Sequence, residues 1–98
     1  MNNQVSSVSQ ILAPSTILRV NKCPSVNYWG MEILNRWAVN QPEALKELEE
    51  NTAYLMIRLH EQQALEKDIL DRPESLAQLA QGLTRHEILS MHEVNMNL

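Results

Sequence analysis

The chain of 98 residues contains no phenylalanine, two glycines and a single cysteine. Scarce glycine together with abundant Leu, Glu and Gln favours helices over sheets, so we predict an all-α protein. One cysteine cannot form an internal disulfide, and this favours a reducing compartment, which we predict to be the cytoplasm. The length corresponds to one domain whose small core leaves little room for a deep catalytic pocket.

Long apolar runs and an even distribution of charge are also absent. No apolar run approaches the roughly 20 residues that span a bilayer, and no signal-like segment opens the chain, so we predict no membrane partner. Residues 1–24 hold two bases and no acid, whereas residues 25–98 hold 12 acids and six bases. Because an acidic body repels phosphate, nucleic acid is a disfavoured partner.

The first part of the chain, residues 1–24, is rich in Asn, Ser and Gln and is interrupted by Pro14 and Pro24. This composition predicts an extended, partly flexible arm. The stretch STILRV (residues 15–20) has the β-branched character of a strand, which could add to the sheet of another protein. The alternative is that its apolar side chains pack on the protein's own helices.

Residues 25–98 are predicted to form a helical domain of three to four helices. The first helix is indicated by apolar residues at helical spacing: Val26, Trp29, Gly30, Ile33, Leu34 and Trp37. Ser25 is a candidate cap for its start, and Asn40 and Pro42 mark its end. Glycine inside a helix costs roughly 1 kcal/mol relative to alanine, so we expect a bulky group to pack closely on Gly30.

One long central helix is predicted from Pro42 to Leu70, a span with no Gly or Pro after Pro42. Such a helix would be longer than the diameter of a compact domain of 98 residues. We therefore expect it to protrude, to break near Asn51–Thr52, or to pair with a second chain. Beyond Pro73, a short helix should end at Gly82, and a last helix should begin at Thr84, with Glu87 completing a capping box.

Residues 79–89, LAQGLTRHEIL, are similar to the scaffold half of the helix-turn-helix in LuxR-type regulators. The resemblance implies two helices joined by a tight turn, and it covers 11 of the 98 residues. In that family a basic recognition helix follows, whereas this chain continues as SMHEVNMNL. We do not transfer the function of that family, but the alternative function is a dimeric helical DNA-binding transcriptional regulator, in which the long helix is the dimer seam and the last helices present Arg85 and His86.

Each of the three histidines is followed by glutamate, as in the His-Glu-x-x-His helix of zinc proteases. The second histidine of that motif is replaced by Ala64, Ser90 or Met96, so no metal site is predicted. His60 is interpreted as a polar residue on a solvated helix face. Cys23 is a reactive thiol, an intermolecular bridge or a small apolar residue before Pro24, and we expect the last because no histidine or basic cluster adjoins it.

No glycine-rich phosphate loop, nucleophile elbow or Cys-His arrangement is visible, so we expect neither an enzyme nor a cofactor. The sequence instead predicts a small protein-binding module, an adapter or inhibitor that docks on a larger protein. A homodimer or a self-assembling structural protein is a further alternative. The predicted contact residues lie in the STILRV stretch and in the second half of the long helix: Ile17, Leu18, Val20, Arg58, Glu61, Leu65 and Ile69.

Overall fold

The computed structural model describes the backbone of residues 3–98 and the side chains from residue 7 onward. Residues 3–98 form seven helices, in chain order α1 (Asn3–Ile11), α2 (Pro14–Lys22), α3 (Tyr28–Asn40), α4 (Pro42–Glu49), α5 (Thr52–Leu70), α6 (Pro73–Ala80) and α7 (Arg85–Met91). No strand occurs among them, which confirms the all-α prediction. Within the described range, no helix has both the length and the apolar character needed to cross a membrane.

Residues 3–11 and 14–22 are helical, so the prediction of an extended arm is wrong over these ranges. Pro14 occupies the first turn of α2, where its missing N–H costs nothing. Thr16 and Val20 lie four residues apart and share the buried face of α2, and this burial outweighs the strand-like propensity of STILRV. Residues 1–2 of the predicted arm lie outside the described residues.

The number of helices and the single long central helix were both predicted wrongly. Residues 42–70 form two helices, α4 and α5, separated at Glu50–Asn51. The break lies beside Asn51–Thr52, where a break was one of three expected alternatives. There the Asn51 side chain accepts a hydrogen bond from the Tyr54 N–H at 3.2 Å, and the Thr52 hydroxyl donates to the Glu49 carbonyl at 3.2 Å. These side-chain bonds compete with a continuous helical ladder.

The described chain divides into two compact units. The first unit extends to Gln63 and includes Asn97–Leu98, and the second comprises Ala64–Met96. The core of the first unit contains Trp37 and aliphatic side chains from α1 to α5: Val8, Leu12, Val20, Ile33, Leu34, Ala38, Leu45, Leu55 and Leu59. Leu45 of α4 and Leu55 of α5 are both fully buried there. The break between these helices thus lets both enter one core.

The helix α3 begins at Tyr28 rather than after Ser25. Its cap is Asn27, whose side-chain oxygen accepts hydrogen bonds from the N–H groups of Trp29 at 2.9 Å and Gly30 at 3.3 Å. Both Ser25 and Asn27 are good capping residues, so propensity alone does not choose between them.

The second unit contains α6, α7 and the last part of α5. Gly82, with φ of 102°, follows α6, and the Leu83 N–H donates to the Gln78 carbonyl at 3.1 Å, which together form a Schellman motif. Thr84 and Glu87 form the predicted capping box at the start of α7. Inside this unit, the buried Ser75 hydroxyl donates to the Ile69 carbonyl at 2.7 Å.

Candidate functional site

The first candidate site is a solvent-facing strip of α5, which we call the α5 outer face and define as Tyr54, Ile57 and Glu61. These residues are three and seven positions apart and therefore lie on one side of the helix. Tyr54 and Ile57 are each 54% exposed, and Glu61 is also exposed. Two large apolar side chains thus face solvent on adjacent turns.

On the buried side of α5, the last residues that belong to the first unit are polar. Leu55 and Leu59 are fully buried, but the next buried residues are Gln62 and Gln63, at 2% and 8% exposure. Amides are rarely buried unless they are hydrogen-bonded, and isoleucine is among the most often buried residues. In this stretch α5 buries polar groups while it exposes apolar ones.

Gln63 is buried because it holds the segment that precedes α3. Its side-chain N–H group donates to the Ser25 carbonyl at 2.8 Å, and its side-chain oxygen accepts from the Asn27 N–H at 3.3 Å. A Cβ atom added to Gly30 would overlap this oxygen and would lie 2.8 Å from Val26 Cγ1. The expected close packing on Gly30 is confirmed, and the group responsible is the Gln63 amide.

A cavity of about 130 Å³ adjoins the α5 outer face at Tyr54. Its other lining residues are Ala44, Leu48, Arg58 and Leu98. Because these walls are largely apolar, the cavity is suited to an apolar side chain.

Arg58, a predicted contact residue, is already engaged by partners within the first unit. Its guanidinium lies 5.3 Å from the centroid of the Trp37 ring, within cation–π range. It donates to the Gln62 side-chain oxygen at 2.9 Å and to the Asn97 carbonyl at 3.1 Å. The Leu98 N–H in turn donates to the Gln41 side-chain oxygen at 2.8 Å. Arg58 therefore helps to hold Asn97–Leu98 on this unit.

The remaining predicted contact residues divide between surface and interior. Leu18 is 53% exposed, Ile17 is half-buried and Val20 is fully buried in the core of the first unit. In the second unit, Leu65 is exposed whereas Ile69 is buried. Partner contact by these residues remains a prediction, and Leu18, Glu61 and Leu65 have side chains on the surface. Sequence reasoning missed Tyr54 and Ile57, because they lie in AYLMIRL (residues 53–59), a run that is apolar around most of the helix and so indicates burial on more than one side.

A second candidate site is formed by Cys23 and His60. The Cys23 sulfur lies 3.6 Å from His60 Nε2, and His60 Nδ1 lies 2.9 Å from the Met56 carbonyl oxygen. The expectation that no Cys-His arrangement exists is therefore wrong, as is the view of His60 as only a solvated polar residue. The two residues are 37 positions apart, and only the packing of α5 beside the α2–α3 connection brings them together.

Cys23 also lines a groove of about 380 Å³ in the first unit. The other lining residues belong to α2 and are Ser15, Leu18, Arg19 and Lys22. Two of the five lining side chains are cations, so the groove favours anionic molecules.

The tight junction between α6 and α7 agrees with the resemblance to a helix-turn-helix. In the described chain, however, no helix follows α7, so residues 92–98 provide no recognition helix. Arg72 forms an ion pair with Asp68 at 3.2 Å.

Among the described residues, no group of three or more His, Cys, Asp or Glu side chains lies close enough to hold a metal ion. No protein-family model, curated protein or solved structure matches this chain. The functional proposals below therefore depend on the geometry of the chain itself.

Proposed function

We propose that this chain is a small, non-enzymatic protein-binding module, an adapter or inhibitor that docks on a larger protein through the α5 outer face. The observation that carries this proposal is the exposure of Tyr54 and Ile57 on one side of a helix that buries Gln62 and Gln63 on the other. We place the module in the cytoplasm, as its single cysteine suggests.

The apolar content of the α5 outer face supports a docking role. Full burial of one large apolar side chain stabilises a complex by about 1.5–3 kcal/mol. Tyr54 and Ile57 have only about half of their surface left to bury, so together they would contribute roughly 2 kcal/mol. The cavity beside Tyr54 provides a place for one apolar side chain of the partner.

The charge of the same region indicates the chemistry of the partner. Glu61 lies on the face, and Glu50 is exposed just before α5 begins. A complementary surface would therefore combine apolar anchors with a Lys or Arg side chain. An amphipathic helix with anchors three or four residues apart meets both requirements.

The proposal is tested by purifying the tagged protein from a nuclease-treated lysate of its native host at low and high salt. The tag belongs at the N terminus, because Asn97 and Leu98 contact the first unit. We expect one stoichiometric protein to remain bound at high salt. The double substitution Tyr54→Gln/Ile57→Gln should weaken the complex by roughly 30-fold and so sharply reduce the capture.

The matched control is Leu76→Gln, which removes an apolar side chain of 53% exposure from α6. This variant should retain the partner. Equal loss of the partner in both variants would contradict docking through the α5 outer face. Recovery of nucleic acid alone, and only at low salt, would instead favour the dimeric regulator. A concentration-dependent oligomer without a foreign partner would favour self-assembly.

A further inference from the structure

The geometry around His60 makes it a proton acceptor for Cys23. A backbone carbonyl only accepts hydrogen bonds, so the 2.9 Å contact with Met56 places the ring proton on Nδ1. Nε2 then carries the unshared electron pair, and it faces the Cys23 sulfur at 3.6 Å. A nucleophile, a base and a third group that orients the base are thus arranged in sequence.

The groove beside Cys23 gives this residue access to small molecules. Cys23 is half-buried, and the groove of about 380 Å³ that it lines contains the cations Arg19 and Lys22. These two are the only charged residues in the first 24 positions of an otherwise acidic chain. An anionic reagent is therefore attracted to this groove and repelled by most of the remaining surface.

We propose that Cys23 is a modification site that forms a mixed disulfide with low-molecular-weight disulfides carrying carboxylate groups, with His60 as the base. This inference is separate from docking through the α5 outer face and does not depend on it. The chain contains no other cysteine, so the modification adds one group and does not proceed to an internal disulfide.

The exchange balances without any further oxidant. The Cys23 thiol passes its proton to His60 Nε2, and its sulfur forms a bond to one sulfur of the disulfide. The original S–S bond breaks, its electron pair goes to the leaving sulfur, and that sulfur takes the proton from the imidazolium. The Cys23 sulfur is oxidised, the leaving sulfur is reduced, and the products are a mixed disulfide and one thiol.

The first measurement compares the native chain with the same chain unfolded in urea. The probes are the anionic disulfide 5,5′-dithiobis(2-nitrobenzoate) and the neutral disulfide 4,4′-dithiodipyridine, and the product that each releases is followed by its absorbance. At pH 7 the native chain should react with the anionic probe at least about tenfold faster than the unfolded chain, because only the native chain holds the base in place. A native rate equal to or below the unfolded rate would overturn the proposal.

The substitution His60→Gln tests whether His60 acts as the base. His60→Gln should lower the rate at pH 7 with both probes by about tenfold, and its rate should approach that of the natural chain at pH 9.5, where hydroxide replaces the base. An unchanged rate at pH 7 would remove His60 from the mechanism. A loss that persists at pH 9.5 would show that the substitution disturbed the groove instead, and would equally count against His60 as the base.

Lys22→Gln should slow the anionic probe about two- to threefold and leave the neutral probe unchanged. The matched control is Lys46→Gln, which removes the same charge from α4, outside the groove. This control should leave both rates unchanged. If Lys22→Gln and Lys46→Gln slow the anionic probe equally, the groove does not select for anions, and the assignment to carboxylate-bearing disulfides is wrong.

Discussion

The junction between α2 and α3 and the junction between α6 and α7 are stabilised by different kinds of contact. In the first junction, residues 23–27, Gln63 bonds the backbone of Ser25 and Asn27, and His60 contacts Cys23. These partners are 36 to 38 positions away in sequence. In the second junction, residues 81–84, the hydrogen bonds run to Gln78, Leu79 and Glu87, all within a few residues.

This difference predicts how the two junctions respond to mutation. The second junction depends on backbone conformation and capping. Its residues favour the end of one helix and the start of the next in any helical chain. The first junction also has local bonds, such as the one from the Val26 N–H to the Cys23 carbonyl at 3.1 Å, but its contacts with Gln63 and His60 form only when α5 is packed in place. Substitutions in α5 should therefore disturb the first junction, whereas only local substitutions should disturb the second.

The largest effect is expected for Gln63→Leu. This change removes two hydrogen bonds to backbone groups and should lower the free energy of unfolding of the first unit by about 2 kcal/mol. Both tryptophans, Trp29 and Trp37, lie in this unit, so urea unfolding followed by Trp fluorescence reports on it. Gln81→Leu, which alters an exposed amide in the second junction, is the control and should leave the transition unchanged.

A somewhat smaller effect is expected for Gly30→Ala. The added methyl group gains helix propensity, but it overlaps the Gln63 amide and Val26, so we expect a net loss of about 1–2 kcal/mol in the same assay. In a Gln63→Ala background the loss should shrink by roughly 0.5–1 kcal/mol, because one of the overlapping groups is gone. Additive effects of the two substitutions would contradict direct contact between these positions.

Gly82→Ala tests the second junction. Its φ of 102° is unfavourable for residues with a Cβ, so the substitution should weaken the end of α6 by about 1 kcal/mol. The hydrogen-exchange protection of the Leu83 amide, which bonds the Gln78 carbonyl, measures this loss. The Trp fluorescence transition of the first unit should not move.

The end of α7 allows the opposite substitution, in which glycine is introduced and the helix end should become more stable. Glu93 has a φ of 56°, and the following Val94 N–H donates to the Leu89 carbonyl at 3.1 Å, as in a second Schellman motif. Glu93→Gly should therefore raise the protection of the Val94 amide by roughly 0.5 kcal/mol. Lower protection in this variant would mean that backbone conformation does not limit this helix end.

The smallest effect concerns pH at the second junction. Hydrogen bonds from the backbone N–H and the side chain of Thr84, helped by neighbouring His86, lower the pKa of Glu87 below its ordinary value. The folded state thus favours the charged carboxylate, so its stabilising effect is present above the ordinary pKa and is lost as the pH falls through the lowered pKa. The Ile88 N–H bonds the Thr84 carbonyl, so its protection against hydrogen exchange should decrease in acid.

The control for this experiment is Glu87→Gln, which can still accept the hydrogen bond from the Thr84 N–H but does not titrate in this range. Protection of the Ile88 amide should be independent of pH in the variant over this interval. An identical acid dependence in the natural chain and in Glu87→Gln would assign the effect to another group.

The parts of the fold that sequence reasoning predicted correctly are those with local causes. Gly82, Thr84 and Glu87 lie within six positions, and they specify the end of one helix and the start of the next wherever they occur. The end of α3 at Asn40 follows from Pro42 in the same way. The all-α class follows from composition.

The parts that were predicted wrongly have causes outside the segment concerned. STILRV has the intrinsic character of a strand, yet burial of Thr16 and Val20 against the first unit's core makes it a helix. The break at Glu50–Asn51 lacks Gly or Pro, and it allows Leu45 and Leu55 to reach one core. Periodicity does not reveal either effect, because burial depends on the other elements.

The candidate sites show the same division. The sequence by itself predicted close packing on Gly30 and determined that Cys23 has no internal disulfide partner. Only the tertiary structure decided that Gln63 packs on Gly30, that His60 meets Cys23, and that Tyr54 and Ile57 remain on the surface. The reason is that conformational preference acts over a few residues, whereas hydrogen bonds and burial between distant residues depend on how the helices pack together.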